Sequence, residues 1–381
     1  MTQIPYGRQR IDAEDEAAVL AALRAPMLTQ GPATDAFERE IADYVGARHA
    51  VAVSSATAGL HLSMMALDLG SGEAITSPIT FVATSNTMVQ VGLTPVFTDI
   101  DPDTLTLSPS AVAAAITPAT RLLAPVHFAG LPADMAPLKA LAGDHGLKIV
   151  EDAAHAIGSE YAGGGRVGNG LHADLTVFSF HPVKTMTTGE GGAITTNDAE
   201  LYERLRMLRS HGITRDPARL ADQPGPWWYE QQAMGLNYRM TDIQAALGSS
   251  QLKKLDGFID RRLAIVADYR RAFAGLDWLT LPPDAGDRRI GWHLFTAQID
   301  FEALGQTRAE VMAALAAKGI GSQVHYIPVT RQPWYREHLA TDPAAFPNAE
   351  AYYRQALSLP LYAAMTDDDV AQVIAAVRGL A

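Results

Sequence analysis

The sequence of 381 residues contains no cysteine. That excludes a disulfide framework, a thiolate metal site and a cysteine nucleophile. Positive charge is scarce as well: 30 Lys and Arg stand against 42 Asp and Glu, a net charge of −12. Nucleic-acid surfaces need clustered Lys and Arg, so that class of partner is excluded, and binding to anionic membranes is disfavoured. No apolar run approaches the roughly 18 residues of a membrane-spanning helix. The opening stretch "MTQIPYGRQRIDAEDE" lacks the apolar segment of a signal peptide, so a cytoplasmic location is expected. There is no repeat of 20–50 residues and no low-complexity linker. What remains is ordinary for a soluble globular protein, 48% hydrophobic and 19% charged. The length exceeds one usual core, so two packed units are expected.

From about residue 50 strands and helices alternate. "HAVAVSS" reads as a strand, and "ATAGLHLSMMALDLG" as a helix ended by Gly70. "AITSP", "PVFTDI", "RLLAPVHF", "LKIVED", "DLTVFSF" and "GGAITTN" continue the strands. Helices fall between the earlier ones, including one that starts at Ser108-Pro109 with a cap and a proline. The alternation predicts an α/β fold with a mainly parallel sheet covered on both faces. Thr241 and Gln244 form a capping-box pattern at the head of a helix predicted to run to about Phe273. Beyond it "GWHLFTAQI" and "SQVHYIP" read as strands, Thr307 and Thr366 as helix starts. We therefore expect a large domain over 1–250 and a smaller α+β domain over 251–381.

In open α/β sheets ligands bind beyond the carboxyl ends of the strands, so strand-end residues carry the functional signal. The chain has only six lysines. Five lie on predicted helices or at a strand start; Lys184 alone follows an apolar strand and precedes a glycine turn, in "FSFHPVKTMTTGEGG". A surface loop is the ordinary place for such a lysine, and no "GxxxxGK[ST]" phosphate loop surrounds it. A partly desolvated lysine, by contrast, is a nucleophile suited to a Schiff base. Asp152 ends "LKIVED", where it either caps the next segment or faces a protonated ring nitrogen. His155 lies one turn on, within reach of a ligand oxygen or simply structural. "SSATAGL" joins strand to helix with small residues, an anion site or a plain cap. Ser179 adds a hydroxyl, and Phe81 either stacks on a flat ring or packs in the core. Together a lysine for an aldehyde, an acid for a ring nitrogen, an aromatic face and a phosphate cradle are what pyridoxal 5′-phosphate requires.

The residues also carry a resemblance over nearly the whole chain. "LTQGP", "SSATAGLHL", "SPITFVATSN", "PVFTDIDPDTLTL", "PVHFAGLPADM", "VEDAAHAIGS", "FSFHPVKTMTTGEGG", "LRSHGITRD", "LNYRMTDIQAALG", "VHYIPV" and "LSLPLY" resemble the sugar-nucleotide aminotransferases of the DegT/DnrJ/EryC1/StrS family. The resemblance implies the fold of aspartate aminotransferase and pyridoxal phosphate held covalently by Lys184. Asp152 would keep the pyridine nitrogen protonated, His155 would sit near the ring hydroxyl and Phe81 would stack on the ring. Thr57, Ala58 and Ser179 would bind the phosphate, with Asn237 reaching in from the second subunit of a homodimer. Tyr6, Thr29, Gln30, Gly31, His325 and Tyr326 would line the sugar-nucleotide site, and Arg239 is a candidate for the carboxylates of L-glutamate. "PWWYEQQAMGLNYR" is most similar to the transaminases of the pseudaminic acid branch, which implies a UDP-linked 4-keto-6-deoxy-N-acetylhexosamine as amino acceptor. Other nucleotide keto sugars are the nearest alternative. A sugar dehydratase of the family would have histidine at the lysine position, and a non-catalytic sensor would be expected to have lost Lys184 or Asp152.

Overall fold

In the computed structural model, residues 3–286 and 288–381 are described. Seven strands form the main sheet: β1 His49–Val53, β2 Gly72–Thr76, β3 Leu93–Phe97, β4 Thr120–Ala124, β5 Lys148–Asp152, β6 Leu175–Ser179 and β7 Gly192–Thr196. Their order is β1-β7-β6-β5-β4-β2-β3, and only β7 runs against its neighbours. β6 and β7 are buried along their whole length, as expected for strands covered on both faces.

The helices are α1 Ala13–Leu23, α2 Pro32–Val45, α3 Ala56–Leu67, α4 Ala83–Gln90, α5 Pro109–Ala115, α6 Met135–His145 and α7 Ala199–Leu208. They continue as α8 Asp242–Leu252, α9 Leu255–Phe273, α10 Arg308–Ala317, α11 Pro333–His338, α12 Pro347–Gln355 and α13 Asp367–Arg378. Side-chain alternation divides the sheet residues between two cores. Leu123 and Phe178 face α2, α6 and the start of α9, in a core with Phe37, Leu138 and Ile259. Leu122 and Val177 face α3, α4 and α7, in a core with Leu60, Met88 and Leu205.

Two short strands, β8 Ile213–Thr214 and β9 Glu230–Gln231, form a ribbon beside the sheet. A separate antiparallel sheet contains β10 Leu279–Thr280, β11 Phe295–Ile299 and β12 Ala356–Leu359. Its core takes Ile265, Tyr269 and Phe273 from α9, Val311 and Leu315 from α10, and Val373 from α13. Ile4 joins the same core and pairs with residues 319–321. The expected helix starts at Thr241, Thr307 and Thr366 all form capping boxes.

Three expectations are corrected. The helix expected from Thr241 to Phe273 is two helices, broken at Lys253-Lys254. α8 packs on α1 and α2, whereas α9 carries on into the second core, and Lys254 ties the break to Asp12 and Asp15 at 2.7 Å each. A Cβ at Gly248 would meet the Phe37 ring at 2.6 Å, so this glycine lets α8 pack closely on α2. "SQVHYIP" makes no strand: only Gln323 pairs with Ser358 before the chain turns inward. The strand in "GWHLFTAQI" is confined to β11, because the Gly291, His293 and Leu294 amides bond to Ser159 and Ala129 instead of a β neighbour.

Candidate active site

The carboxyl ends of β5 and β6, the head of α3 and the turn after Phe180 enclose a cavity of about 390 Å³. Tyr6, Thr57, Phe81, Asp152, His155, Ser179, Lys184, His325 and Tyr326, all anticipated from the sequence, line it. The main-chain pairing of Ile4 with 319–321, and the bond from Leu361 N to Tyr6 O, bring Tyr6 there.

Lys184 follows a tight turn in which its amide donates to His181 O at 2.9 Å. Burial lowers its pKa to about 8, against the opposing pull of Asp152. At pH 7 a pKa of 8 rather than 10.5 raises the neutral, nucleophilic fraction ~300-fold. Three histidines surround the amine. Burial first, and then the charge of Lys184, push His155 and His293 well below the usual range and His325 down to about 4. All three are therefore neutral at pH 7.

Asp152 is turned into the cavity by strand alternation, while its neighbour Glu151 faces the buried side. The Thr84 hydroxyl donates to Asp152 Oδ2 at 2.6 Å and the Ala154 amide to Oδ1 at 3.1 Å. Glu151 accepts from Tyr161 Oη at 2.9 and 2.8 Å and from Thr176 Oγ1 at 2.5 Å. Burial pushes the Glu151 pKa up, but His127 and these hydroxyls outweigh it and hold it below the usual range. His127, a strand-end residue in the sequence, thus belongs to the support beneath the site.

At the head of α3, Ser55 Oγ accepts from the Ala58 amide at 3.1 Å. Ala58 is therefore engaged in the cap and does not line the cavity. Ala56 and Thr57 do, and first-turn amides have no intrahelical acceptor. Helix-end amides of this kind, with the Ser179 hydroxyl nearby, suit a phosphate. Phe81 is 60% exposed and presents a free aromatic face at the wall. A buried low-pKa amine, a fixed carboxylate, open helix amides and a bare aromatic ring fit the chemical groups of pyridoxal phosphate.

The remaining anticipated residues lie elsewhere. Gln30 and Arg239 line a second cavity of about 480 Å³, with Arg206, Arg209, Arg215 and Arg219. Gly31 N donates to Asp242 Oδ1 at 3.0 Å at the start of α2. Thr29 pairs with Thr241, and Asn237 with Ser210. Sequence reasoning missed Glu190 and His293 in the wall and Thr84 behind Asp152. Thr84 follows Phe81 by three residues and could have been found from helical spacing; His293, inside an expected strand, gave no signal.

Known proteins match along the whole chain. It is 44% identical over 379 residues to the spore coat polysaccharide biosynthesis protein SpsC of Bacillus subtilis strain 168, across 99% of this chain and 97% of SpsC. Helicobacter pylori PseC, an aminotransferase involved in the biosynthesis of pseudoaminic acid, has a TM-score of 0.92 at 32% identity, covering 100% of this chain and 99% of PseC. Spr1654 of Streptococcus pneumoniae in its PLP form has a TM-score of 0.90 at 30% identity, covering 99% and 98%. Residues 9–378 match the model of the DegT/DnrJ/EryC1/StrS aminotransferase family, and this chain belongs to that family of pyridoxal phosphate-dependent aminotransferases.

Proposed function

We propose that the protein transfers the amino group of L-glutamate to C4 of a UDP-linked 4-keto-6-deoxy-N-acetylhexosamine. Lys184 carries the reading: an amine with a pKa of about 8, facing Asp152 in one cavity. The choice of sugar is supported by the "PWWYEQQAMGLNYR" resemblance and by the likeness to PseC.

Pyridoxal phosphate, when bound, supplies the carbonyl and the electron-withdrawing ring that amino transfer needs. Lys184 would hold it through its low-pKa amine, and the same amine would serve as the general acid and base for proton transfer at the substrate carbon. Asp152, fixed by Thr84 and Ala154, would pair with the ring nitrogen and favour its protonated form. Ala56, Thr57 and Ser179 would hold the phosphate, and Phe81 would stack on the ring. The neutral histidines leave Lys184 the principal cation of the cavity wall. Tyr6, His325 and Tyr326 contact the sugar.

We further propose a homodimer with shared sites. Asn237, Arg239, Thr29, Gln30 and Gly31 lie outside their own subunit's main cavity, which suits residues donated to a partner. Trp227, Tyr229 and Met234, all in the segment that leads to Asn237, are 67%, 50% and 81% exposed and would be covered by the second copy.

The test is a panel of UDP-, GDP- and dTDP-linked keto sugars with L-glutamate, scored by product mass and NMR. Amination at C4 of the UDP 4-keto sugar is expected. Turnover of a GDP- or dTDP-linked sugar in its place would refute the choice of sugar, and absence of 2-oxoglutarate with every sugar would refute glutamate as donor.

A further inference from the structure

Ala129 is buried behind His155 in a left-handed backbone conformation, with φ of 58°. A residue with a Cβ adopts that conformation at a cost and keeps it only where its surroundings impose it. They do so here. Ala129 O accepts from His293 N at 2.9 Å and Leu294 N at 3.3 Å. Gly130 follows with φ of 104°, packed so closely that a Cβ would lie 2.7 Å from Gly291 O and 3.1 Å from His293 N. The outcome of the turn is that the Ala129 amide points at His155 Nδ1, 3.3 Å away.

A backbone amide can only donate. Nδ1 must therefore offer its lone pair, and a neutral imidazole then carries its proton on Nε2. Nε2 lies 3.2 Å from Tyr326 Oη. We propose that Ala129 is a positioning residue: its amide locks His155 as the Nε2–H tautomer, so that the His155–Tyr326 pair meets a bound ligand as a hydrogen-bond donor to oxygen.

The polarity of the pair depends on that lock. With the proton on Nε2, His155 donates to Tyr326 Oη, and the Tyr326 hydrogen is left for the ligand. With the proton on Nδ1, two donors would oppose each other at Ala129, and Nε2 would draw in the Tyr326 hydrogen. The cavity would then offer an acceptor where a ligand oxygen needs a donor. Tyr326 stays neutral and able to donate, because burial first and then Asp152 push its pKa up. The titratable groups that face His155 are Lys184, His293, His325 and Tyr326, with Asp152 lining the same cavity. The lock also couples the site to the segment 291–294, which no motif in the sequence marks as functional. That the oxygen is the ring hydroxyl of pyridoxal phosphate rests on the proposed function; the lock itself does not.

The experiment is nitrogen NMR of protein labelled with ¹⁵N-histidine, with and without pyridoxal phosphate, the His155 signals being assigned by their loss in His155→Gln. The expected spectrum has an acceptor-type Nδ1 and a proton-bearing Nε2, unchanged from about pH 6 to about pH 8, the window in which an ordinary histidine titrates. Tyr326→Phe should leave the tautomer as it is, because Ala129 sets it. Gly130→Ala, which displaces the turn, should give a tautomer mixture or a titrating ring. A proton on Nδ1, a charged ring in that range, or a tautomer that changes in Tyr326→Phe would each overturn the proposal. Should Gly130→Ala fail to fold, the wild-type and Tyr326→Phe spectra still decide. If the tautomer is as expected but pyridoxal phosphate leaves the Nε2 signal unmoved, the lock stands and the assignment of the ring oxygen fails.

Discussion

The reactivity of Lys184 can be tested without any sugar substrate. Its pKa of about 8 reflects burial, which lowers it, opposed by the Asp152 carboxylate, which raises it. Asp152→Asn removes only the opposing charge, so the pKa should fall further. Cyanate, a small reagent that carbamylates neutral amines, can report this in the cofactor-free protein. Labelling of Lys184 is read by peptide mass spectrometry from about pH 6 to about pH 11, a range that spans its pKa and that of an ordinary lysine. Exposed Lys139 serves as the internal reference. At pH 7 a lysine with a pKa of 8 is ~9% neutral, whereas one at 10.5 is ~0.03% neutral. The wild-type midpoint should lie near 8, and that of Asp152→Asn below it. The same shift makes stability depend on pH. The unfolded lysine holds its proton more tightly than the folded one, so the folded state is penalised below pH 8. The penalty fades as pH rises from about 8 to 10.5, with a ceiling of ~3 kcal/mol, reduced because Lys184 is only half-buried. A Lys184 midpoint near 10, or one that rises in Asp152→Asn, would refute the reasoning.

Thr84→Val keeps the shape but removes the 2.6 Å bond to Asp152. A hydrogen bond to a charged group contributes ~1.5–3 kcal/mol, so kcat/KM or cofactor affinity should drop by roughly 10- to 100-fold; a loss under about twofold in both would contradict the role given to Thr84. Glu151→Gln places an amide opposite the Tyr161 and Thr176 hydroxyl donors, 3.6 Å from His127 Nε2, and should cost about 1–3 kcal/mol in thermal or denaturant unfolding. Unchanged stability would show that the buried network is not held by charge. Mixing Lys184→Ala with Asn237→Ala protomers should restore activity through the one intact site of each mixed dimer, and no recovery despite demonstrated subunit exchange would count against a shared site.

The strands of the main sheet and the position of Lys184 were legible in the sequence because they rest on local physics. A mostly apolar run such as "LTVFS" needs cover on both faces, and of the six lysines only Lys184 stands between such a run and a glycine turn, which set it apart from the others. The capping boxes at Thr241, Thr307 and Thr366 are likewise written within four residues each. Tertiary structure alone decided the rest. The break after α8 lies where Lys254 is tied to Asp12 and Asp15 near the start of the chain, which no window of sequence records. "SQVHYIP" has strand composition, yet 323 finds its pairing partner at 358 and the chain then turns inward to present His325 and Tyr326. Thr84 reaches Asp152 across 68 residues, and the Ala129 amide meets His155 because 291–294 holds it in a left-handed turn. Periodicity and residue type determine which elements form and which side chains carry chemistry. The direction of a buried hydrogen bond depends on atoms brought together from distant parts of the chain, and only the packed fold sets it.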